Sequence, residues 1–199
     1  MKLYTWTTPN GFKPLILLEE LGVSFELAAV NLGRGAQKSE EYTRINPNQK
    51  IPALVDEKTV VFESGAILFY LAEKFGRFLP PSYPDRGRVL SWLMFQMGGV
   101  GPMFGQANHF RDAAPDNRYA RERYFSEATR LLKVMDGQLR SRPFIAGDAY
   151  TIADMALFPW TRDPTRFGQT AEERPGLFAW VERVGQRPAV KAAFERAIA

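Results

Sequence analysis

Two short stretches in the first third of the chain have the residue types and spacing to hold a small anionic peptide. Ile51-Pro52 follows the loop Asn46-Pro47-Asn48-Gln49-Lys50 and opens an apolar run, and Glu63-Ser64 joins a second apolar run to a helical pattern. An extended peptide can pair its backbone with Ile51 while its carboxylate docks on the helix-opening amides at Ser64 and its amine meets Glu63. Taken singly, each has a plainer reading: Pro52 is a strand-opening proline that can sit cis, and Ser64 is a helix N-cap. What the chain lacks narrows the chemistry further. With no cysteine and a single histidine, His109, it excludes a disulfide framework, a protein thiol nucleophile and a Cys/His zinc site. No metal is expected, and thiol chemistry must come from a ligand. The glycine-rich run Met97-Gly98-Gly99-Val100-Gly101-Pro102-Met103-Phe104-Gly105-Gln106 lacks the Gly-Lys-Ser/Thr ending and the preceding strand of a phosphate loop. Its glycines are expected to loosen or kink a helix.

For the peptide-holding residues to meet, the elements around them must form a small sheet backed by helices. Leu3 to Trp6 reads as a strand, Thr8-Pro9-Asn10-Gly11 as turn chemistry, and Leu15, Ile16, Leu18 and Leu21 as a helix. Phe25 to Val30 predicts a second strand, Ser39 to Ile45 a short helix, Pro52 to Asp56 and Thr59 to Phe62 a hairpin, and Ser64 to Phe75 a helix capped by Ser64. Residues 77–84 are too rich in proline to continue a helix. Beyond them, helical patterns cover 85–107, 117–140, 152–160, 175–186 and 189–198, with breaks at Pro143, Pro164 and Pro188. The expected organisation is an α/β domain over 1–78, a linker over 79–84 and an all-helical domain over 85–199. Tyr4, Trp92, Phe95 and Trp180 are assigned to the core, and Thr151-Ile152-Ala153-Asp154 to a capping box that serves folding.

A chain of 199 residues, 45% hydrophobic and 24% charged, has the composition of a soluble globular protein that can bury a core without a staple. Its net charge of +4 is spread among acidic neighbours, which suits anionic small ligands and gives no reason to expect a nucleic-acid partner. Met1-Lys2-Leu3-Tyr4-Thr5 has no secretory character, and no stretch approaches the ~20 apolar residues that span a bilayer. A cytoplasmic location without a membrane partner is the expectation.

The strand order, Ile51-Pro52, Glu63-Ser64-Gly65-Ala66-Ile67 and Thr151-Ile152-Ala153-Asp154 together resemble the glutathione transferases over essentially the whole chain. The resemblance implies a thioredoxin-like α/β domain followed by an all-α domain, the glutathione transferase fold. It further implies that Ile51, before a cis Pro52, pairs with the cysteine of glutathione, that Glu63 and Ser64 hold its γ-glutamyl end, and that Gln37 and Lys50 approach its glycyl end. Where most members carry a tyrosine, serine or cysteine at the end of the first strand, this chain has Thr7-Thr8-Pro9-Asn10-Gly11. That segment, with Gln37 after Gly33-Arg34-Gly35 and the run from Met97, is similar to the Nu class, related to yeast prion-type nitrogen regulators. This class includes disulfide-bond reductases that use glutathione without a protein cysteine.

A free thiol has a pKa of about 8.5, so holding it mostly as thiolate at neutral pH takes roughly 2–3 kcal/mol of preference for the anion. One hydrogen bond to a charged group is worth about 1.5–3 kcal/mol, so a donor from Thr8 or Asn10, aided by the first helix N-terminus, suffices. The Nu pattern implies one or two glutathiones, or one glutathione disulfide, per site, helped by an arginine that Arg123 matches. It also implies a homodimer. Met103, Phe104, His109 and Phe110 are expected to line a cleft over the thiol. The expected activity is glutathione-dependent disulfide reduction. Conjugation to electrophiles or peroxide reduction is the alternative within enzymes, and a non-catalytic interaction module the alternative outside them.

Overall fold

A computed structural model describes residues 1–196. The chain divides into two compact units, Met1–Leu79 with the described residues from Gln186 onward, and Pro80–Gly185. The first is organised on a four-stranded sheet in the order β2-β1-β3-β4, made of β1 (Lys2–Thr5), β2 (Glu26–Ala29), β3 (Ala53–Asp56) and β4 (Thr59–Phe62). β1 and β2 are parallel and β3 runs antiparallel to both of its neighbours. Parallel neighbours need a crossover, which α1 (Pro9–Leu21) provides; α2 (Glu40–Ile45) and α3 (Ser64–Phe75) complete the thioredoxin-like set. α1 is buried on all sides, with Gly11 through Leu18 and Leu21 inside. Each large apolar side chain sequestered there contributes about 1.5–3 kcal/mol.

The unit is closed by a helix from the far end of the chain. α9 (Pro188–Glu195) packs on α1, with the Phe12 and Phe194 rings 4.2 Å apart and the Arg187 guanidinium forked onto Glu20 at 2.6 and 2.8 Å. By packing, the last helix therefore joins the α/β unit, whereas the sequence pattern places it in the helical domain. An amphipathic stripe says that a helix has a partner and not which one. The helix expected over 189–198 also reaches two positions beyond the described residues.

The second unit contains α4 (Tyr83–Phe95), α5 (Gly101–Asp112), α6 (Arg118–Leu139), α7 (Ile152–Thr161) and α8 (Pro175–Gly185). α4 begins inside the expected linker, because Pro84 falls in its first turn, where a missing N–H costs no hydrogen bond. The pattern 85–107 resolves into α4 and α5 joined by a π turn at Gln96–Val100, so the kink expected from the glycines is present and the helix runs on to Asp112. A π turn inserts an extra residue per turn and re-aims the helix beyond it.

Asp154 anchors this unit. Its carboxylate is fully buried and accepts from the amides of Ile145 at 2.9 Å and Thr151 at 3.0 Å, from Thr151 Oγ1 at 3.2 Å and from Trp180 Nε1 at 2.8 Å. Burial pushes its pKa up, and the four donors pull against that shift. The Thr151 and Asp154 pair forms the expected capping box at the start of α7 and also ties α7 to the indole on α8. Asp154→Ala strands buried donors on three elements, and is expected to lower unfolding stability by about 3–5 kcal/mol in a denaturant titration.

Candidate active site

Strand register gathers the residues expected to hold the peptide at one end of the sheet. Ala53 at the start of β3 faces Tyr4 near the end of β1 and Phe62 at the end of β4, while Thr5 and Ala29 end the parallel pair together. Four segments therefore emerge side by side: Trp6 to Gly11 after β1, Val30 to Lys38 after β2, Lys50 to Pro52 before β3, and Glu63-Ser64 after β4. The Ile51-Pro52 bond is cis. The Ile51 side chain packs against the cluster of Val30, Tyr42 and Ala53, which fixes its backbone at the sheet end.

The turn carrying Thr8 and Asn10 is pinned by short-range bonds. Thr8 is the N-cap of α1 and its hydroxyl accepts from Gly11 N at 3.2 Å, so the hydroxyl proton points elsewhere. Thr5 Oγ1 donates to the Gly11 carbonyl at 3.2 Å. A Cβ at position 11 would lie 2.1 Å from the Trp6 carbonyl oxygen, so only glycine lets the helix start come this close to the strand it follows. Asn10 lies in the first turn, partly exposed, one helical turn before Lys13.

Lys13 is the site residue that the sequence reading missed. It is only 1% exposed, and its Nζ donates to Ser64 Oγ at 3.2 Å, joining α1 to the first residue of α3. Burial lowers its pKa to about 7, against the opposing attraction of Glu63. A signal was available: Lys13 interrupts the run Phe12 to Leu18, which is apolar all round and leaves a lysine no solvated face. The structure also corrects the capping role given to Ser64. The cap residue of α3 is Glu63, at φ 71° and ψ 120° and without a side-chain capping bond, and Ser64 is the buried first residue, 3% exposed. The left-handed Glu63 leaves its carboxylate exposed beside the helix start, where the first amides open outward and favour an anion.

The neighbouring loop is braced from beneath. The Lys50 carbonyl accepts from Tyr42 Oη at 2.7 Å and from Asn46 Nδ2 at 2.6 Å. Burial pushes the Tyr42 phenol up to about 12, so it remains a donor, and the Lys50 side chain itself is exposed. Gln37 lies in the turn Ala36–Lys38 after β2. Its Oε1 is buried without a hydrogen-bond partner among the described residues.

The helical unit presents its own cavity of about 800 Å³, lined by Met103, Tyr119, Glu122, Arg123, Tyr124, Ser126 and Glu127. Arg123 is exposed on α6. The Phe110 ring stacks on Tyr124 at 5.5 Å and 7°, and exposed His109 sets its ring edgewise to Phe110 at 5.1 Å. Phe104, expected to line a cleft, instead points inward: it is 1% exposed and its ring lies 4.4 Å from that of Phe167. The one-residue step from Met103 to Phe104 turns the side chain by about 100° around the helix, from the cavity face to the core face. No group of three or more His, Cys, Asp or Glu side chains among the described residues has the arrangement of a metal site. Likewise, no described helix is long and apolar enough to cross a membrane.

Comparison with known proteins places this geometry. Residues 1–73 match the family profile described as "Glutathione S-transferase, N-terminal domain", and residues 100–188 match "Glutathione S-transferase, C-terminal domain". The chain is 44% identical over 203 residues to the disulfide-bond oxidoreductase YfcG of Escherichia coli (strain K12), covering 98% of this chain and 94% of that protein. A glutathione transferase family member of Pseudomonas fluorescens, solved with two glutathione bound, superposes with a TM-score of 0.92 at 40% identity, covering 98% of this chain and 92% of that one. A glutathione transferase of Pseudomonas putida, solved with one glutathione disulfide bound per subunit, gives 0.91 at 38% identity, with coverage of 98% and 90%.

Gly11→Ala, which forces the helix start off the strand end, is expected to lose at least ~2 kcal/mol of stability and to weaken binding of a γ-glutamyl tripeptide. Thermal unfolding and calorimetric titration check the two effects.

Proposed function

Since the chain belongs to the glutathione S-transferase family, we propose that it is a glutathione-dependent disulfide-bond reductase that activates the thiol of a bound glutathione with Asn10 and Thr8. The observation that carries this reading is the meeting of Asn10, Ile51 and Glu63-Ser64 at one sheet end in a chain with no cysteine. Glutathione lies along Ile51 and Pro52, with its γ-glutamyl end at Glu63 and Ser64 and its glycyl end toward Gln37 and Lys50. Its sulfur then falls at the start of α1, where the helix dipole and a donor from Asn10 or Thr8 lower the thiol pKa.

The glutathione thiolate attacks one sulfur of the substrate disulfide, forming a mixed disulfide and releasing the other half as a thiolate. A second glutathione thiolate attacks the glutathionyl sulfur of that mixed disulfide, giving glutathione disulfide and releasing the remaining substrate thiolate. The net electrons come from two glutathiones. Relatives solved with two glutathiones or with one glutathione disulfide per subunit support this stoichiometry, and the Escherichia coli disulfide-bond oxidoreductase supports the type of reaction. Arg123 helps hold the second glutathione, and Met103, His109 and Phe110 border the substrate. The protein is a cytoplasmic homodimer of the Nu class.

Asn10→Ala is expected to lower turnover of a small hydroxyalkyl disulfide with glutathione more than tenfold while leaving the thermal unfolding midpoint within a few degrees, since one hydrogen bond to an anion is worth about 1.5–3 kcal/mol. Calorimetry should give two equivalents of glutathione, or one of its disulfide, per subunit. Chlorodinitrobenzene conjugation with one equivalent and no disulfide reduction would assign the chain to ordinary conjugation instead.

A further inference from the structure

A lysine hidden beneath the γ-glutamyl site is a costly arrangement, because an ammonium taken out of water loses several kcal/mol of hydration unless a partner compensates. Lys13 is 1% exposed, and its Nζ reaches Ser64 Oγ at 3.2 Å. A hydroxyl has one proton and two lone pairs. When the ammonium donates to Ser64 Oγ, the serine proton is turned away from Lys13. A neutral amine has a lone pair of its own, and can take the serine proton for itself.

We propose that Lys13 is a positioning residue for the carboxylate of the γ-glutamyl end of glutathione, acting through Ser64: the charged lysine sets the serine as an outward donor and adds its buried positive charge to the N-terminus of α3. This rests on the assignment of Glu63 and Ser64 to the γ-glutamyl end. The lysine does not touch the peptide; it decides which way the hydroxyl that does is turned. The buried charge acts through a low dielectric and is felt more strongly than one at the surface.

The groups facing Lys13 from each packed element define its titration. From α3 the carboxylate of Glu63 acts on it, while Glu73 and Lys74 lie at the other end of that helix. On α1 itself Glu19 and Glu20 lie in the last turns, paired with Arg196 and Arg187 from the α9 side, and Lys191 on α9 meets Gln186. On β1, Lys2 pairs with Glu26, and Tyr4 packs toward Tyr42. On β3, Asp56 is bound to Lys74 and Tyr70. Among these described groups Glu63 is the carboxylate that acts on Lys13, and it favours the ammonium. With the lysine pKa lowered to about 7, the donating form prevails below that pH and is lost as pH rises through it. Peptide affinity should fall in the same direction, opposite to the rise in thiolate that aids the chemical step.

The test is calorimetric titration with S-methylglutathione, whose blocked thiol cannot titrate, from about pH 6 to about pH 8.5. The unaltered protein should lose roughly tenfold in affinity across that range. Near pH 7 binding should take up a fraction of a proton, read from the dependence of the observed enthalpy on buffer ionisation. Lys13→Met should bind about tenfold more weakly at the acid end, with a flat pH profile, and should weaken Ser64→Ala no further. A wild-type affinity that is level with pH and takes up no proton overturns the proposal even if Lys13→Met fails to fold. A folded Lys13→Met with undiminished affinity overturns it as well. If the unaltered protein does not bind S-methylglutathione at any pH, the glutathione reading itself falls and takes this one with it.

Discussion

The site hangs on the register of one residue. Ala53 pairs with Tyr4 on one side and Phe62 on the other, and only in that register do the ends of β1 and β4 and the start of β3 lie level. Side chains alternate along a strand, so a slip of one residue would turn Leu54 outward and carry Ile51 away from Asn10 and Glu63. The buried Leu3, Leu54 and Ala53 make that slip expensive. Apolar packing in the sheet is thus what holds three distant stretches of sequence together at one end of it.

Much of this was legible in the chain because it was local. Periodicity marked α1 and α3, the Thr151–Asp154 spacing marked a capping box, and glycines marked the break at Gln96–Val100. The cis Ile51-Pro52 bond was legible because a proline at a strand start after a loop has few physical uses. What escaped the sequence depended on partners remote along it. Lys13 is defined by Ser64, 51 positions away, and α9 by a helix at the opposite end of the chain. Phe104 differs from Met103 only in which side of α5 it occupies, and the glycine-rich text around both hid the phase. Glu63 takes a left-handed backbone, a conformation rare for glutamate, so the cap moved one residue from its expected place.

The two demands that the proposed reaction makes on the site have the same electrostatic sign. A thiolate and a carboxylate each need positive potential, and the sheet end offers it from the amides, hydroxyls and helix starts of α1 and α3 and from the exposed Arg34, Lys38 and Lys50 beside them. In the proposed binding mode the buried cation Lys13 lies under the carboxylate end, with the neutral Asn10 and Thr8 left to the sulfur. A neutral donor can favour an anionic sulfur without fixing it so tightly that it ceases to attack, since nucleophilicity falls as thiol pKa falls.

The packing of α9 on α1 also bears on how the protein is made. The helix that covers Phe12 and pairs with Glu20 is encoded more than a hundred residues after the sheet it completes, with the whole Pro80–Gly185 unit between them. On the ribosome, residues 1–79 emerge with one face of their central helix bare and must wait through the synthesis of the helical unit for their last element. The helical unit, contiguous in sequence, needs no such wait. The α/β unit is therefore the last to be finished, so a ribosome that stalls late leaves an exposed apolar face for chaperones and proteases to find.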